Sequence, residues 1–186
     1  MKKNYMFSYR TAWDCSPNRL MASLQDRQTN GLPVIDLTMS NPTLCGFDYP
    51  DETIIASLAD PASLRYEPSS FGALSAREAV AAYYEKMDFS VSPERIILTA
   101  GTSDAYSYLF RMLADPGDEI VTAAPGYPLL DVLADLNDLR IIRYPLSYEG
   151  GWYLDLDAVE CALTPRSRVL VAVSPNNPAG NFLKPQ

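Results

Sequence analysis

From residue 95 onward the chain alternates between two hydrophobic periods, and few folds accept that order. Four short apolar runs rich in β-branched residues, at 95–98, 119–123, 139–144 and 169–173, read as strands. Between them lie three stretches with apolar side chains at helical spacing. The stretch 102–113 puts Ala105, Tyr108, Leu109, Met112 and Leu113 inward. The stretch 127–136 does the same with Leu129, Val132, Leu133 and Leu136, and 155–163 with Leu156, Val159 and Leu163. Strands joined through helices pair in parallel, and the crossover helices then cover both faces of the sheet. The expected fold class is α/β, a mostly parallel sheet flanked by helices.

The chain before residue 95 is less regular. A helix is predicted over 17–29, with Ser16 as N-cap, Pro17 at the first helical position and Asn30-Gly31 as the stop. A short apolar run at 34–37 leads into the polar segment 38–43, which has loop chemistry. Further helices are predicted over 51–59, ended by Asp60-Pro61, and over 75–87, with Ala79, Val80, Tyr83, Tyr84 and Met87 on one face. There is no internal repeat and no low-complexity tract. The 15 prolines sit mainly where elements join.

Composition removes several kinds of chemistry. The 186 residues carry 15 Lys+Arg against 23 Asp+Glu, a net charge of −8, which opposes a nucleic-acid footprint. There is no histidine, so His-containing triads, His-ligated zinc and imidazole acid–base chemistry are excluded from this stretch. Cys15, Cys45 and Cys161 are odd in number and far apart, which fits neither a disulfide framework nor a CxxC metal site and suits a reducing cytoplasm. Met1-Lys2-Lys3 leads into polar and aromatic residues rather than the apolar run of a signal peptide. No window is apolar for long enough to span a membrane.

In open parallel sheets, ligands bind beyond the carboxyl ends of the strands, and loops fall there in this sequence. Thr99-Ala100-Gly101-Thr102-Ser103 opens an amphipathic helix, whose free N–H groups and positive dipole end suit a phosphate; alone, it reads equally as a helix cap. It is neither a Walker A loop nor a GxGxxG fingerprint, which argues against ATP and NAD. Ala124-Pro125-Gly126-Tyr127-Pro128 fixes the Tyr127 ring where a flat ligand can stack, or forms an ordinary turn with a packed tyrosine. Ser174-Pro175-Asn176-Asn177-Pro178-Ala179-Gly180 ends a strand on two asparagines bracketed by prolines, side chains able to read a phenolic or carbonyl oxygen. Tyr66-Glu67-Pro68-Ser69-Ser70-Phe71-Gly72 sets a tyrosine hydroxyl before a glycine turn, and on its own is a loop.

Taken in order, Tyr-x-Pro…Gly…Arg-Glu-Ala, then Thr-Ala-Gly-Thr-Ser-Asp-Ala, then Pro-Gly-Tyr-Pro, then Ser-Pro-Asn-Asn-Pro-Ala-Gly, these segments resemble the class I/II aminotransferases over roughly residues 34–182. Those are pyridoxal-phosphate enzymes of the aspartate-aminotransferase fold. The last motif is the most specific, being similar to the family's Asn-Pro-x-Asn-Pro-Thr-Gly. Ser174 replaces its first Asn and Ala179 its Thr, while the central Asn177 is kept.

The resemblance implies a cofactor site. The N–H groups of Gly101, Thr102 and Ser103 would hold the 5′-phosphate, Tyr127 would stack on the pyridine ring, and Asn177 would hydrogen-bond its phenolate oxygen. In the family the tyrosine matching Tyr66 reaches the phosphate of the partner subunit, which implies a homodimer with shared sites. The segment 38–43 matches the loop where family members begin to recognise the substrate α-carboxylate, with Asn41 as the candidate. Residues 1–45 correspond to an N-terminal arm and small-domain segment, and 46–186 to the first part of the cofactor-binding large domain.

The family also needs a lysine that forms a Schiff base with pyridoxal phosphate, an aspartate on the pyridine nitrogen and an arginine on the substrate carboxylate. All three are expected beyond the Asn-Pro motif. Lys184, the only lysine after Lys86, follows Gly180 too closely to be that lysine. The chain therefore reads as an N-terminal fragment, inactive alone, of an enzyme that moves an amino group between an amino acid and a 2-oxo acid. In the family's seven-stranded sheet the strand at 95–98 is separated from the next three by later strands. The chain alone is then expected to leave it without neighbours and to fold poorly or aggregate. Two alternatives share the motifs: a pyridoxal-phosphate lyase of the same fold, and a non-catalytic aminotransferase-like domain used for sensing. The second carries a DNA-binding module before this region, whereas only 33 residues precede Val34 here.

Overall fold

The computed structural model of the protein describes residues 6–39 and 41–183. Met1-Lys2-Lys3, Ser40, Lys184 and Pro185-Gln186 lie outside the described residues. The chain divides into two compact units: one joins the segment up to Trp13 with everything from Thr99 onward, and the other runs from Asp14 to Leu98.

The unit from Asp14 to Leu98 contains helices α1 (Arg19–Thr29), α2 (Asp51–Leu58) and α3 (Leu74–Glu85). Helix α1 starts later than the sequence suggests. Its cap is Asn18 rather than Ser16, because the Asn18 side chain accepts from the Met21 N–H and satisfies a donor of the first turn. Asn30 and Gly31, the latter at φ +65, close the helix as expected. On α3 only Val80 of the predicted face is half-buried, and Tyr83, Tyr84 and Met87 are exposed. No described residue of this unit is buried, so its order rests on local bonds. Arg77 supplies several of them. Its Nε donates to the Gly72 carbonyl (3.1 Å), its Nη1 to the Pro93 carbonyl (2.7 Å), and its guanidinium lies 5.8 Å from the Phe71 ring centroid.

The strand expected at 95–98 does not form. Residues Pro93–Arg95 make a 3-10 turn, and the backbone beyond is extended but in no ladder. The Leu98 N–H donates to the Phe71 carbonyl (3.0 Å), and no other strand among the described residues of this unit is there to pair with it.

The second unit is the parallel α/β body. Helix α4 (Thr102–Leu113) leads through a short turn into β1 (Glu119–Ala124), followed by α5 (Leu129–Leu136) and β2 (Arg140–Pro145). A two-residue hairpin the sequence did not announce, β3 (Ser147–Tyr148) and β4 (Trp152–Tyr153), precedes α6 (Leu156–Ala162) and β5 (Ser167–Val171). The sheet order is β2-β1-β5, all parallel, with β1 central. Strand alternation sends Ile120 to one face and Val121 and Ala123 to the other. On the first face Ile120 joins Phe110 of α4 and Leu130, Leu133 and Ala134 of α5. On the second, Val121 and Ala123 join Tyr144, Leu146 and Val159 of α6. Helices thus cover both faces, as the strand–helix order requires.

The helical faces differ in detail from the pattern. Helix α4 buries Phe110 and half-buries Ala105 and Tyr106, whereas Tyr108, Leu109, Leu113 and Met112 (71%) are exposed. In α5 the buried residues are Leu130, Leu133 and Ala134, Leu129 and Val132 are half-buried, and Leu136 is exposed. In α6 Val159 is buried while Leu156 and Leu163 are exposed. These helices are apolar around much of their circumference, so periodicity leaves the packed stripe open. Strand β5 also begins and ends two residues earlier than expected: Ser167 pairs with Glu119, Arg168 falls at a shift of register, and its Nε lies 3.5 Å from Asp118 Oδ2.

Gly72 and Gly31 both have positive φ, but a Cβ on Gly72 would lie 2.8 Å from the Leu98 Cβ while Gly31 has open space. Gly31→Ala is expected to cost about 1 kcal/mol of backbone strain. Gly72→Ala adds a steric clash of about 1–3 kcal/mol. Urea unfolding followed by circular dichroism separates the two; equal midpoints would contradict the packing role of Gly72.

Candidate cofactor site

The short turn from α4 to β1 sends the N-terminus of α4 toward the carboxyl end of the sheet, where the loops after β1 and β5 also emerge. Gly101, Thr102, Ser103, Tyr127 and Asn177 therefore share one end of one unit. Tyr66 and Asn41 belong to the unit from Asp14 to Leu98.

Gly101 is the N-cap of α4, and no side chain caps the helix. The Gly101 carbonyl accepts from the Asp104 and Ala105 N–H groups and from the Thr99 hydroxyl. The N–H groups of Gly101, Thr102 and Ser103 make no hydrogen bond among the described residues, and they sit at the positive end of a twelve-residue helix. Nothing in the fold demands glycine at 101: its backbone is extended (φ −172), and an added Cβ would meet no atom within 4 Å. A glycine that neither conformation nor packing requires suits close approach of an external group to the backbone.

Tyr127 is half-buried and packs against the cluster of Phe110, Ile120 and Leu130. Its loop is tightly set. A Cβ on Gly126 would stand 2.3 Å from the Ala123 carbonyl oxygen, so only glycine fits. The Tyr127 carbonyl in turn accepts from the Leu130 N–H (3.2 Å) as α5 begins.

The two asparagines of the last loop divide the work. Asn176 is 8% exposed, and its backbone N–H donates to the Asn181 carbonyl while its own carbonyl accepts from the Gly180 N–H. Its Oδ1 accepts from the Ala179 N–H (3.1 Å). Asn177 is exposed, and its side chain makes no hydrogen bond among the described residues. The inner asparagine builds the turn, and the outer one turns its amide to solvent. The family-variant positions also have local duties. The Ser174 hydroxyl accepts from the Leu183 N–H (3.1 Å), and Ala179 packs on the cluster of Val121 and Tyr144.

In the other unit, Asn41 caps the 3-10 turn Pro42–Leu44, its Oδ1 accepting from the Thr43 N–H (3.0 Å) and hydroxyl (2.7 Å). Its amide NH2 makes no hydrogen bond among the described residues. Tyr66 is 93% exposed. Among the described residues no group of His, Cys, Asp or Glu side chains is arranged to hold a metal. No described helix is long and apolar enough to cross a membrane.

Comparison with known proteins agrees with this architecture. The family model for aminotransferase class I and II matches residues 33–186. The chain belongs to that family. It is 31% identical over 154 residues to the glutamate-pyruvate aminotransferase AlaA of Escherichia coli K12, covering 82% of this chain and 38% of the relative. It is 32% identical over 152 residues to mouse tyrosine aminotransferase, covering 80% and 33%. Among solved structures, a Thermus thermophilus aspartate aminotransferase double mutant superposes with a TM-score of 0.76 at 30% identity, covering 96% of this chain and 47% of that one. The chain thus spans between a third and just under half of the length of these proteins.

Class I and II aminotransferases use pyridoxal phosphate. The residues present fit that group: N–H donors unpaired among the described residues at a helix N-terminus for a phosphate, an aromatic ring on a tight loop at the same end of the sheet, and an exposed amide side chain. Residues that shape the site without touching a ligand were harder to see from the sequence. Gly126 was signalled only by its place between two prolines, and Asn176 by its neighbour.

The division between the asparagines is testable. Asn176→Ala removes the Oδ1 that accepts from the Ala179 N–H and is expected to lower stability by about 1–3 kcal/mol. Asn177→Ala is expected to stay within about 0.5 kcal/mol of the parent. Chemical denaturation of both variants checks this; equal losses would contradict the assignment of separate roles.

Proposed function

We propose that the protein carrying this chain is a pyridoxal-phosphate-dependent aminotransferase that moves an amino group between an amino acid and a 2-oxo acid. This chain would supply the cofactor cradle. The observation that carries the reading is the unpaired N–H array at Gly101, Thr102 and Ser103, opened by a glycine the fold itself does not need. It lies at the same end of the sheet as the exposed Asn177.

When bound, pyridoxal phosphate supplies an electron sink for the substrate α-carbon. The chain's residues hold and orient it. The three N–H groups and the dipole of α4 bind the phosphate. The Tyr127 face sets the plane of the ring, and the Asn177 NH2 donates to the ring oxygen, which stabilises negative charge there. Tyr66 would reach the phosphate of a partner subunit in a homodimer, and the free NH2 of Asn41 would meet the substrate carboxylate. The segment to residue 45 would form an arm and part of a small domain.

Further polypeptide is part of this proposal. The apolar face of α4 at Tyr108, Leu109 and Met112 is exposed, Leu170 of β5 is 50% exposed, and the unit from Asp14 to Leu98 buries no described residue. Apolar surface of that extent marks an interface. A cytoplasmic location fits cysteines that form no disulfide among the described residues.

In the protein, Tyr127→Leu is expected to weaken pyridoxal-phosphate binding by about 0.5–1.5 kcal/mol beyond area effects. Asn177→Ala should weaken it by about 1–2 kcal/mol and shift the absorbance of the bound cofactor, since a donor to a charged oxygen is lost. Inorganic phosphate should compete. The 186-residue chain produced by itself should show no amino-group transfer above the free-cofactor background. Unchanged affinity and spectrum in both variants would overturn the reading.

A further inference from the structure

A charged side chain reaches from the edge strand β2 to the Tyr127 loop, and no step described so far uses it. Arg143, on β2, is the partner of Thr122 in the ladder with β1. Its Nη1 donates to the carbonyl of Ala123 (3.2 Å), the last residue before the loop segment 124–128. Its Nη2 pairs with Asp131 Oδ2 (2.5 Å), in the first turn of α5 just after that segment. One guanidinium therefore grips both ends of the loop. The same Ala123 oxygen is the atom a Cβ on Gly126 would strike, and Arg143 Nη1 would lie 3.6 Å from that Cβ. The loop is closed from two sides, by a steric limit at Gly126 and by a forked hydrogen bond at Arg143.

We propose that Arg143 is a positioning residue for the cofactor platform: with Asp131 it locks the 124–128 loop and so fixes the plane of the Tyr127 ring. The proposal rests on the reading of Tyr127 as that platform. The physical case is the shape of the fork. A guanidinium presents two parallel-facing donors in a rigid plane, so a carbonyl and a carboxylate held by it cannot shift independently. The Arg143 side chain is 33% exposed and that of Asp131 52%, so the ion pair adds little by itself and the lock rests on the geometry of the fork. A ring platform needs this, because a misplacement of about 1 Å can cost a large share of productive binding.

The test has two arms. The first needs no cofactor and measures backbone 15N order parameters at the Gly126 and Tyr127 amides in the protein and in Arg143→Met. The parent should give values of about 0.85, typical of rigid backbone, and the variant values below about 0.6. Amides of β1 at 120–122 should not change. Unchanged order at 126–127, or loosening that spreads through β1, overturns the proposal. The second arm measures pyridoxal-phosphate affinity for Tyr127→Leu, Arg143→Met and the double variant. Acting through the ring, Arg143→Met should weaken binding by about five- to tenfold, and the double variant should bind no more weakly than Tyr127→Leu alone. Additive losses overturn the proposal, since Arg143 would then act on the cofactor by another route. Parent-like affinity in Tyr127→Leu instead overturns the platform reading, and with it the role of Arg143 in cofactor binding. The order parameters still report on the fork itself, so the two failures are told apart.

Discussion

The central strand β1 is the constraint on which the body of the protein depends. Five consecutive residues from Glu119 to Ala123 are buried, and the strand has a parallel partner on each side. Its alternation feeds two cores at once, Ile120 toward α4 and α5, Val121 and Ala123 toward α6. Burial of such side chains on both faces contributes about 1.5–3 kcal/mol for each large one. Even the polar group at its start is satisfied, because the Glu119 carboxylate accepts from the Thr164 hydroxyl. The loop that carries Tyr127 leaves the other end of this same strand, so the site inherits its rigidity from the most buried element of the fold.

Around the site, residues that shape the loops stand beside residues left open to a ligand. Gly126 fits against the Ala123 carbonyl while Tyr127 keeps part of its surface open. Asn176 spends its polar atoms on the turn, and Asn177 spends none of its side-chain atoms. At α4, the Gly101 carbonyl is fully used and the N–H groups beside it are unused. Backbone that has satisfied its own bonds can hold unsatisfied donors in place at little further entropic cost, which is what binding an anionic, planar group requires.

Much of this was legible in the sequence, and the gaps have physical causes. The alternation from residue 95 gave the parallel sheet and its flanking helices, and the 102–113 helix was placed to the residue. The stripe that α4 buries was not legible, because Tyr106 and Phe110 compete with Tyr108, Leu109 and Met112 on a helix apolar over most of its surface. The run at 95–98 has strand composition, but a strand needs a partner, and none is present among the described residues of its unit. Asn18 displaced Ser16 as a cap because both residue types cap equally well and only geometry chooses. The loop motifs pointed to the right ligand chemistry, yet two adjacent asparagines look alike until the backbone shows which one faces inward.

The central claim is that three separate loops form one cofactor site at the carboxyl end of this sheet. Amide chemical-shift mapping during a pyridoxal-phosphate titration tests it most directly. The account predicts that the Gly101, Thr102, Ser103, Tyr127 and Asn177 amides shift together along one saturation curve, with Glu119 and Ile120 at the opposite end of β1 unmoved. Shifts confined to other regions, or separate curves for the 101–103 and 177 amides, would contradict it.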